Sequence, residues 1–268
     1  MTSPPVNRYA RQIILPEIGP SGQKKLSEST VFIVGCGGLG GFTADLLARA
    51  GVGRLRIADA DIVERHNLHR QTLFQESDAE SQSPKAEAAG RRLSEINSTV
   101  AVETLAVDVN PQNAASLLAD ADIVLDATDN FQTRYLINDV CVKLGKPWVY
   151  AGVIGTAGMV MPVVPALKGP CLRCVIASPP DPSTTAANDT LGVLNCAVAA
   201  IASLEATMAF RLLLGNPPAQ IGLFHINLWD MSFHHMKVQR NEQCPCCSLG
   251  SFDFLTGELD HFDQVDPI

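Results

Sequence analysis

Two cysteine pairs and a run of glycines carry the first chemical signals in this chain. Cys171 and Cys174, and likewise Cys244 and Cys247, are spaced i, i+3, which sets two thiolates on one knuckle. Two such knuckles complete a tetrahedral site, and four sulfurs leave no open position, so a zinc ion held there is structural and not catalytic. Cys246 stands beside the second knuckle as a possible competing ligand, while Cys36, Cys141 and Cys196 lie in apolar surroundings where an inert cysteine is expected. Eight cysteines could instead make four disulfides. Their bunching into two close sets, with no charged-then-apolar signal at the N-terminus, favours metal.

Gly35, Gly37, Gly38 and Gly40 follow the apolar run Val31 to Val34 and precede an apolar-periodic helix through Leu46, Leu47 and Ala50. A second apolar run, Leu55 to Ala58, ends on Asp59. Strand, glycine turn, helix and strand with a terminal acid form a nucleotide-binding unit: the glycines admit a phosphate to the backbone, and the acid accepts from ribose hydroxyls. Taken alone, the spacing also fits an NAD-dependent dehydrogenase. The residues that follow are less suited to a hydride carrier. Asp61, Asn67 and Arg70 occupy the loop after the second strand, and Lys85 stands in the first turn of a later helix, where a cation opposes the helix dipole unless an anion visits. The run DATDN brings Asp126, Thr128, Asp129 and Asn130 to another strand exit. Polar residues of both signs at the nucleotide edge suit a triphosphate with magnesium.

These residues need elements to bring them together. Ser83 caps a helix with Pro84 at its first position, running through Ile96 on a buried face of Ala86, Ala89 and Leu93. Val100 to Leu105 reads as a strand, Pro111 to Ala119 as a helix capped by Asn110, Ile123 to Leu125 as a strand, Thr133 to Leu144 as a helix stopped by Gly145, and Trp148 to Tyr150 as a strand. The fold class is therefore α/β, a Rossmann-like mostly parallel sheet covered on both faces. Right-handed crossovers place Gly35, Asp59 and Asp126 to Asn130 on one edge of it.

From Gly152 the texture changes to a smaller, zinc-stapled section. A strand over Val160 to Val164, a polar surface loop over Ser178 to Thr190, a long apolar helix over Leu191 to Leu214 and a hairpin of Ile221 to Leu228 with Phe233 to Val238 lead to the second knuckle. The organisation expected is one domain over 1–247, with a nucleotide-binding part at about 28–150 and a second part at 151–247, followed by a tail at 248–268. That tail holds five of the eight net negative charges of the chain. The rest is near neutral, which argues against a nucleic-acid footprint, and Asn195, Ser203, Glu205 and Arg211 interrupt the long helix as a membrane span. A cytoplasmic protein is expected.

RYARQI near the N-terminus, GCGGLG, DADIVERHNLHRQ, SPKAEAA, DATDNFQTR and the two knuckles occur in the order seen in the ThiF/MoeB/HesA family of bacterial ubiquitin-activating-type adenylyltransferases, which the chain resembles from about Arg8 to Cys247. TDNFQTRYLIND and GKPWVYAGV are most similar to the thiazole-biosynthesis ThiF type, with the molybdopterin-synthase MoeB type next. The resemblance implies ATP- and Mg²⁺-dependent adenylation of the C-terminal glycine of a small ubiquitin-like sulfur-carrier protein ending in Gly-Gly. It also implies a homodimer, a structural zinc and a separate sulfur donor.

Residue by residue, the resemblance makes Asp129 the catalytic aspartate and magnesium ligand and Arg70 and Lys85 the phosphate-contacting cations. Asp59 becomes the ribose ligand and Asn67 a phosphate-site residue. Arg11 becomes a finger reaching into the partner's site. Asp61, Asp126, Thr128, Asn130 and Arg134 complete the nucleotide-binding set. The chain departs from the pattern at Asn188, where members that form a covalent enzyme-carrier link have a cysteine; adenylation without such a link follows. Rival readings are adenylation of another peptide or of a tRNA base on the same fold, an NAD-dependent oxidoreductase, and a zinc-stapled scaffold without activity.

Overall fold

A computed structural model describes residues 8–180 and 191–257. Asn188 and the tail beyond Gly257 lie outside the described residues. Eight strands form one sheet in the order β3-β2-β1-β4-β5-β6-β7-β8. These are β1 Thr30–Val34, β2 Arg54–Ala58, β3 Ala101–Leu105, β4 Ile123–Asp126, β5 Trp148–Ile154, β6 Ala157–Val163, β7 Gly222–Asn227 and β8 Ser232–Lys237. The first five pair in parallel and the last three join antiparallel, so the mostly parallel sheet with a smaller antiparallel section is as the sequence implies.

The described helices are α1 Ala10–Ile13, α2 Gly19–Glu28, α3 Gly38–Ala50, α4 Glu76–Glu80, α5 Lys85–Ile96, α6 Ala114–Leu118, α7 Phe131–Leu144, α8 Leu172–Val175, α9 Asn195–Leu213 and α10 Asp253–Thr256. Period-two alternation divides the strands between two cores. Val31, Ile33, Leu55, Ile57 and Val149 face α3, α5 and α9, whereas Phe32, Val34, Val124, Trp148 and Tyr150 face α7, α8 and the cysteine knuckles. By length and composition α9 would pass for a membrane span, but half of it is buried, with its contacts on α3, β5 and β6.

Several helix starts differ from expectation: α7 begins at Phe131, two residues before Thr133, α9 begins at Asn195, four residues after Leu191, and two others are explained by local contacts. Ser83 does not cap α5, and Pro84 sits at the cap position instead of the first turn. Asp61 to Val63 runs antiparallel beside Ser83 to Lys85, with Val63 N–H on the Ser83 carbonyl at 2.9 Å and Lys85 N–H on the Asp61 carbonyl at 2.8 Å. That bridge holds Pro84 extended, so the helix begins one residue later. The helix expected from Pro111 begins at Ala114, because the Asn110 side chain ties the N–H groups of Gln112 and Asn113 into a turn first. The described part of the acidic C-terminal segment folds back onto the body: Phe254 is buried, and its N–H donates to Asp139 of α7 at 3.1 Å.

Candidate active site

The strand order reverses between β1 and β4, and this switch point is where open α/β sheets form a ligand crevice. The glycine turn leaves β1 there, and the DATDN loop leaves β4 beside it. Gly35 has φ +92°, and a Cβ on it would stand 2.7 Å from the Ala127 carbonyl oxygen, so only glycine lets the two loops touch. A Cβ on Gly38 would meet Val198 of α9 at 2.9 Å and the Arg70 carbonyl at 3.5 Å. Gly37 differs: a Cβ there would meet only the Gln71 amide, at 3.5 Å. The turn is thus packed from below and open at Gly37, at the start of α3, where helix N–H groups lack intrahelical acceptors.

Asp59 ties the turn to its neighbour. One carboxylate oxygen accepts from Cys36 N–H at 2.6 Å and the other from Asp61 N–H at 2.9 Å. Burial raises its pKa above the usual carboxylate value, opposed by those two hydrogen bonds and by Lys85. Asp61 in turn holds the Lys85 ammonium at 2.7 Å, with the lysine side chain only 9% exposed. Arg70, half-buried, has its guanidinium on the His66 carbonyl at 3.1 Å and against His69 at 2.9 Å. Asn67 is buried, and its side-chain carbonyl accepts from Glu64 N–H at 3.1 Å, shaping the loop that presents Arg70.

On the β4 side Asp129 is exposed, and its surroundings fix the loop beneath it. Asp126, fully buried, accepts from both N–H and hydroxyl of Thr128, at 3.0 and 2.6 Å. Arg134 bonds the Thr128 carbonyl at 2.6 Å and lies 3.3 Å from Asp126. Asn130 caps α7 through Thr133 N–H at 2.8 Å. Asp126, Thr128 and Arg134 therefore position the loop from within, and Asp129 is the carboxylate turned outward. Burial lifts the Asp126 pKa to about 6, against the pull of Arg134 and Thr128.

Contacts thus link Lys85, Asp61, Asp59, the glycine turn and the Asp129 loop into one unit, with Arg70 packed on Gly38. Arg11 stands apart. α1 is docked at the far end of α3, where Gln12 bonds the Ala50 carbonyl at 2.9 Å, about 20 Å from the turn by the helix rise. Two side chains bordering the site were not singled out as ligands by sequence. Gln71 is buried, with its carbonyl oxygen unpartnered among the described residues. Glu205 of α9 is buried against Thr43 at 2.7 Å, its pKa pushed far up by burial. Only their place beside Arg70 and within an apolar helix could have hinted at either.

The four knuckle cysteines converge as their spacing implies. The sulfurs of Cys171, Cys174, Cys244 and Cys247 all lie within 4.8 Å of one another, with Cys171 to Cys244 at 3.6 Å and Cys174 to Cys247 at 3.5 Å. Metal–sulfur bonds of about 2.3 Å put tetrahedral thiolates about 3.8 Å apart, so the donor set fits a zinc ion. Cys246 is not among them; its sulfur accepts from Asn138 of α7 at 3.2 Å.

Two cations, an outward carboxylate and a glycine turn open at Gly37 thus share one sheet edge, an arrangement suited to a nucleotide. The chain belongs to the ThiF family, whose model matches residues 9–246. It is 42% identical to the sulfur carrier protein ThiS adenylyltransferase of Bacillus subtilis, over 94% of this chain and 74% of that protein. It is 40% identical to the sulfur carrier protein adenylyltransferase of Thermus thermophilus, covering 92% of each. Among solved structures, Escherichia coli MccB with AMPCPP and MccA superposes with a TM-score of 0.80 at 25% identity, over 92% of this chain and 75% of that one.

Proposed function

We propose that the protein is an ATP-dependent adenylyltransferase that activates the C-terminal carboxylate of a ubiquitin-like sulfur-carrier protein. The observation that carries the reading is the joining of Lys85, Asp59, the glycine turn and the Asp129 loop at one switch point, in a chain about 40% identical to named sulfur-carrier adenylyltransferases. Family membership favours nucleotidyl transfer over the hydride transfer that the glycine spacing alone also fits. The higher identity to named carrier-protein adenylyltransferases than to MccB favours a carrier protein as the substrate.

Attack of a carboxylate on the α-phosphate brings two anions together, so cations must surround the developing charge. Arg70 and Lys85 would bind the phosphates, Asp59 the ribose, and the open backbone at Gly37 the phosphate nearest α3. Asp129 would hold Mg²⁺, which supplies charge neutralisation at the phosphates. Cys171, Cys174, Cys244 and Cys247 would hold a zinc ion whose role, with four sulfurs and no open position, would be structural.

Arg11 cannot serve its own crevice from the far end of α3; on our reading it serves a partner's, in a homodimer. The exposed apolar residues Ile14 and Leu15 and the groove between α1, α3 and α9 beside Gln12 and Phe210 support such a contact. The carrier would dock on the β8 side, where Trp229, Met231 and Phe233 are exposed at the hairpin tip. The loop position Asn188 offers no thiol, so sulfur would reach the acyl-adenylate from a separate donor. Thiazole or molybdopterin synthesis would consume the product. Carrier-dependent exchange of labelled pyrophosphate into ATP tests the reading, and its absence with every Gly-Gly carrier from the source genome would overturn it.

A further inference from the structure

A positive charge on Lys85 is awkward in the nucleotide-free protein. The side chain is 9% exposed and stands at the first residue of α5, where the helix dipole repels a cation. A buried ammonium without a counter-ion is strongly disfavoured. Among the described residues its only hydrogen-bond partner is the Asp61 carboxylate, at 2.7 Å. The two residues are also joined through the backbone, Lys85 N–H to the Asp61 carbonyl at 2.8 Å, across the bridge of Ile62 and Pro84. Asp61 N–H, finally, is fixed on Asp59 at 2.9 Å. The cation is thus held by a carboxylate that is itself anchored to the acid expected at the ribose.

Asp61 is the reverse of Lys85 in exposure: its side chain is 73% open to solvent on the nucleotide edge. A carboxylate turned to that edge repels a polyphosphate, and yet it occupies the cation that the polyphosphate needs. Because the Asp61 carboxylate is itself open to water, it can give up the ammonium to a phosphate oxygen without being left desolvated. We propose that Asp61 is the resident counter-ion of Lys85, a positioning residue that keeps the ammonium oriented in the empty site and yields it to a phosphate group when a nucleoside triphosphate binds. The same carboxylate takes the ammonium back when pyrophosphate leaves, so the lysine never stands unpaired. This rests on the adenylyltransferase reading, in which Lys85 meets the phosphates, and it assigns Asp61 no contact with the nucleotide.

The test compares wild type with Asp61→Asn, using the magnesium complex of a non-hydrolysable ATP analogue, by thermal unfolding and calorimetric titration. Without nucleotide Asp61→Asn unfolds at lower temperature, because Lys85 has lost its partner. At saturating analogue the gap closes, and the variant binds the analogue on the order of tenfold more tightly than wild type. A variant too unstable to isolate alone should be recovered when purified with the analogue. The double variant Asp61→Asn/Lys85→Met, which removes both charges, regains stability without nucleotide. Weaker analogue binding by Asp61→Asn would make Asp61 a nucleotide ligand and overturn the proposal, and so would an unfolding gap unchanged by the analogue. A wild type that the analogue does not stabilise overturns the adenylyltransferase reading itself, and this inference with it.

Discussion

At the scale of single residues, the division between Asp126 and Asp129 sets what each substitution should do. Asp129 is exposed and makes no hydrogen bond or ion pair among the described residues, so Asp129→Ala should keep its unfolding temperature while adenylation falls by roughly 10²-fold or more. A matching loss of thermal stability would show that the residue holds the loop and not the reaction. Asp126 behaves otherwise, since burial raises its pKa from 3.8 to about 6 in the folded chain. The folded state then binds a proton that the unfolded chain gives up. Its contribution to stability is present at low pH and is lost as pH rises through 6, on the order of 3 kcal/mol in all. Glu205 is shifted in the same direction. Calorimetry from pH 8 to 5.5 should therefore show an unfolding temperature that holds or rises on acidification, with a flatter profile in Asp126→Asn. A steady fall over that range in wild type would contradict the burial argument. Of these residues, Asp59, Lys85 and Asp129 could be placed from local pattern because each sits at a strand exit or helix start, whereas Arg70 lies in the loop between β2 and α4 and its role came from the family resemblance. The pairing of Lys85 with Asp61 was not, because two residues far apart in sequence meet only through the bridge of Ile62 and Pro84.

At the scale of elements, α7 connects the Asp129 loop with the cysteine knuckles. Its N-terminus is capped by Asn130 immediately after Asp129, and its middle carries Asn138, which bonds Cys246 at 3.2 Å and Leu172 N–H at 2.9 Å beside the cysteine knuckles. Losing the cap in Asn130→Ala should cost about 1 kcal/mol, or about 2–4 °C in unfolding temperature for a chain of this size. A neutral result would mean that the cap is dispensable. The knuckles themselves were readable from spacing alone, since an i, i+3 pair of cysteines has few other uses. The start of α5 was not: a serine, proline and lysine run carries the local signature of a capped helix, and the neighbouring strand segment overrides it. Likewise the first turn expected of α9 is replaced by a bridge between Gly155 and Val193, which ties the segment to the end of β5 and starts the helix at Asn195.

At the scale of the whole molecule, the placement of Arg11 far from its own site is what the proposed homodimer accounts for, and it makes a test of that proposal. Arg11→Ala and Asp129→Ala should each be inactive alone, and mixing them should restore about a quarter of wild-type activity, because half the dimers then carry one complete crevice in a two-fold assembly. Mixtures that stay inactive while subunits demonstrably exchange would show that Arg11 does not act in the partner's site. Overall topology was legible because strands and helices alternate at crossover spacing, whereas the distance of α1 from the crevice follows only from its docking against α3 and α5. On our reading, one unit of Lys85, Asp59, the glycine turn and the Asp129 loop uses ATP to activate a carrier terminus. Pyrophosphate exchange into ATP, measured with and without a carrier ending in Gly-Gly, addresses it most directly. Exchange that requires the carrier's terminal glycine and disappears in Asp129→Ala is the predicted result. Exchange that proceeds without the carrier, or survives in Asp129→Ala, would contradict it.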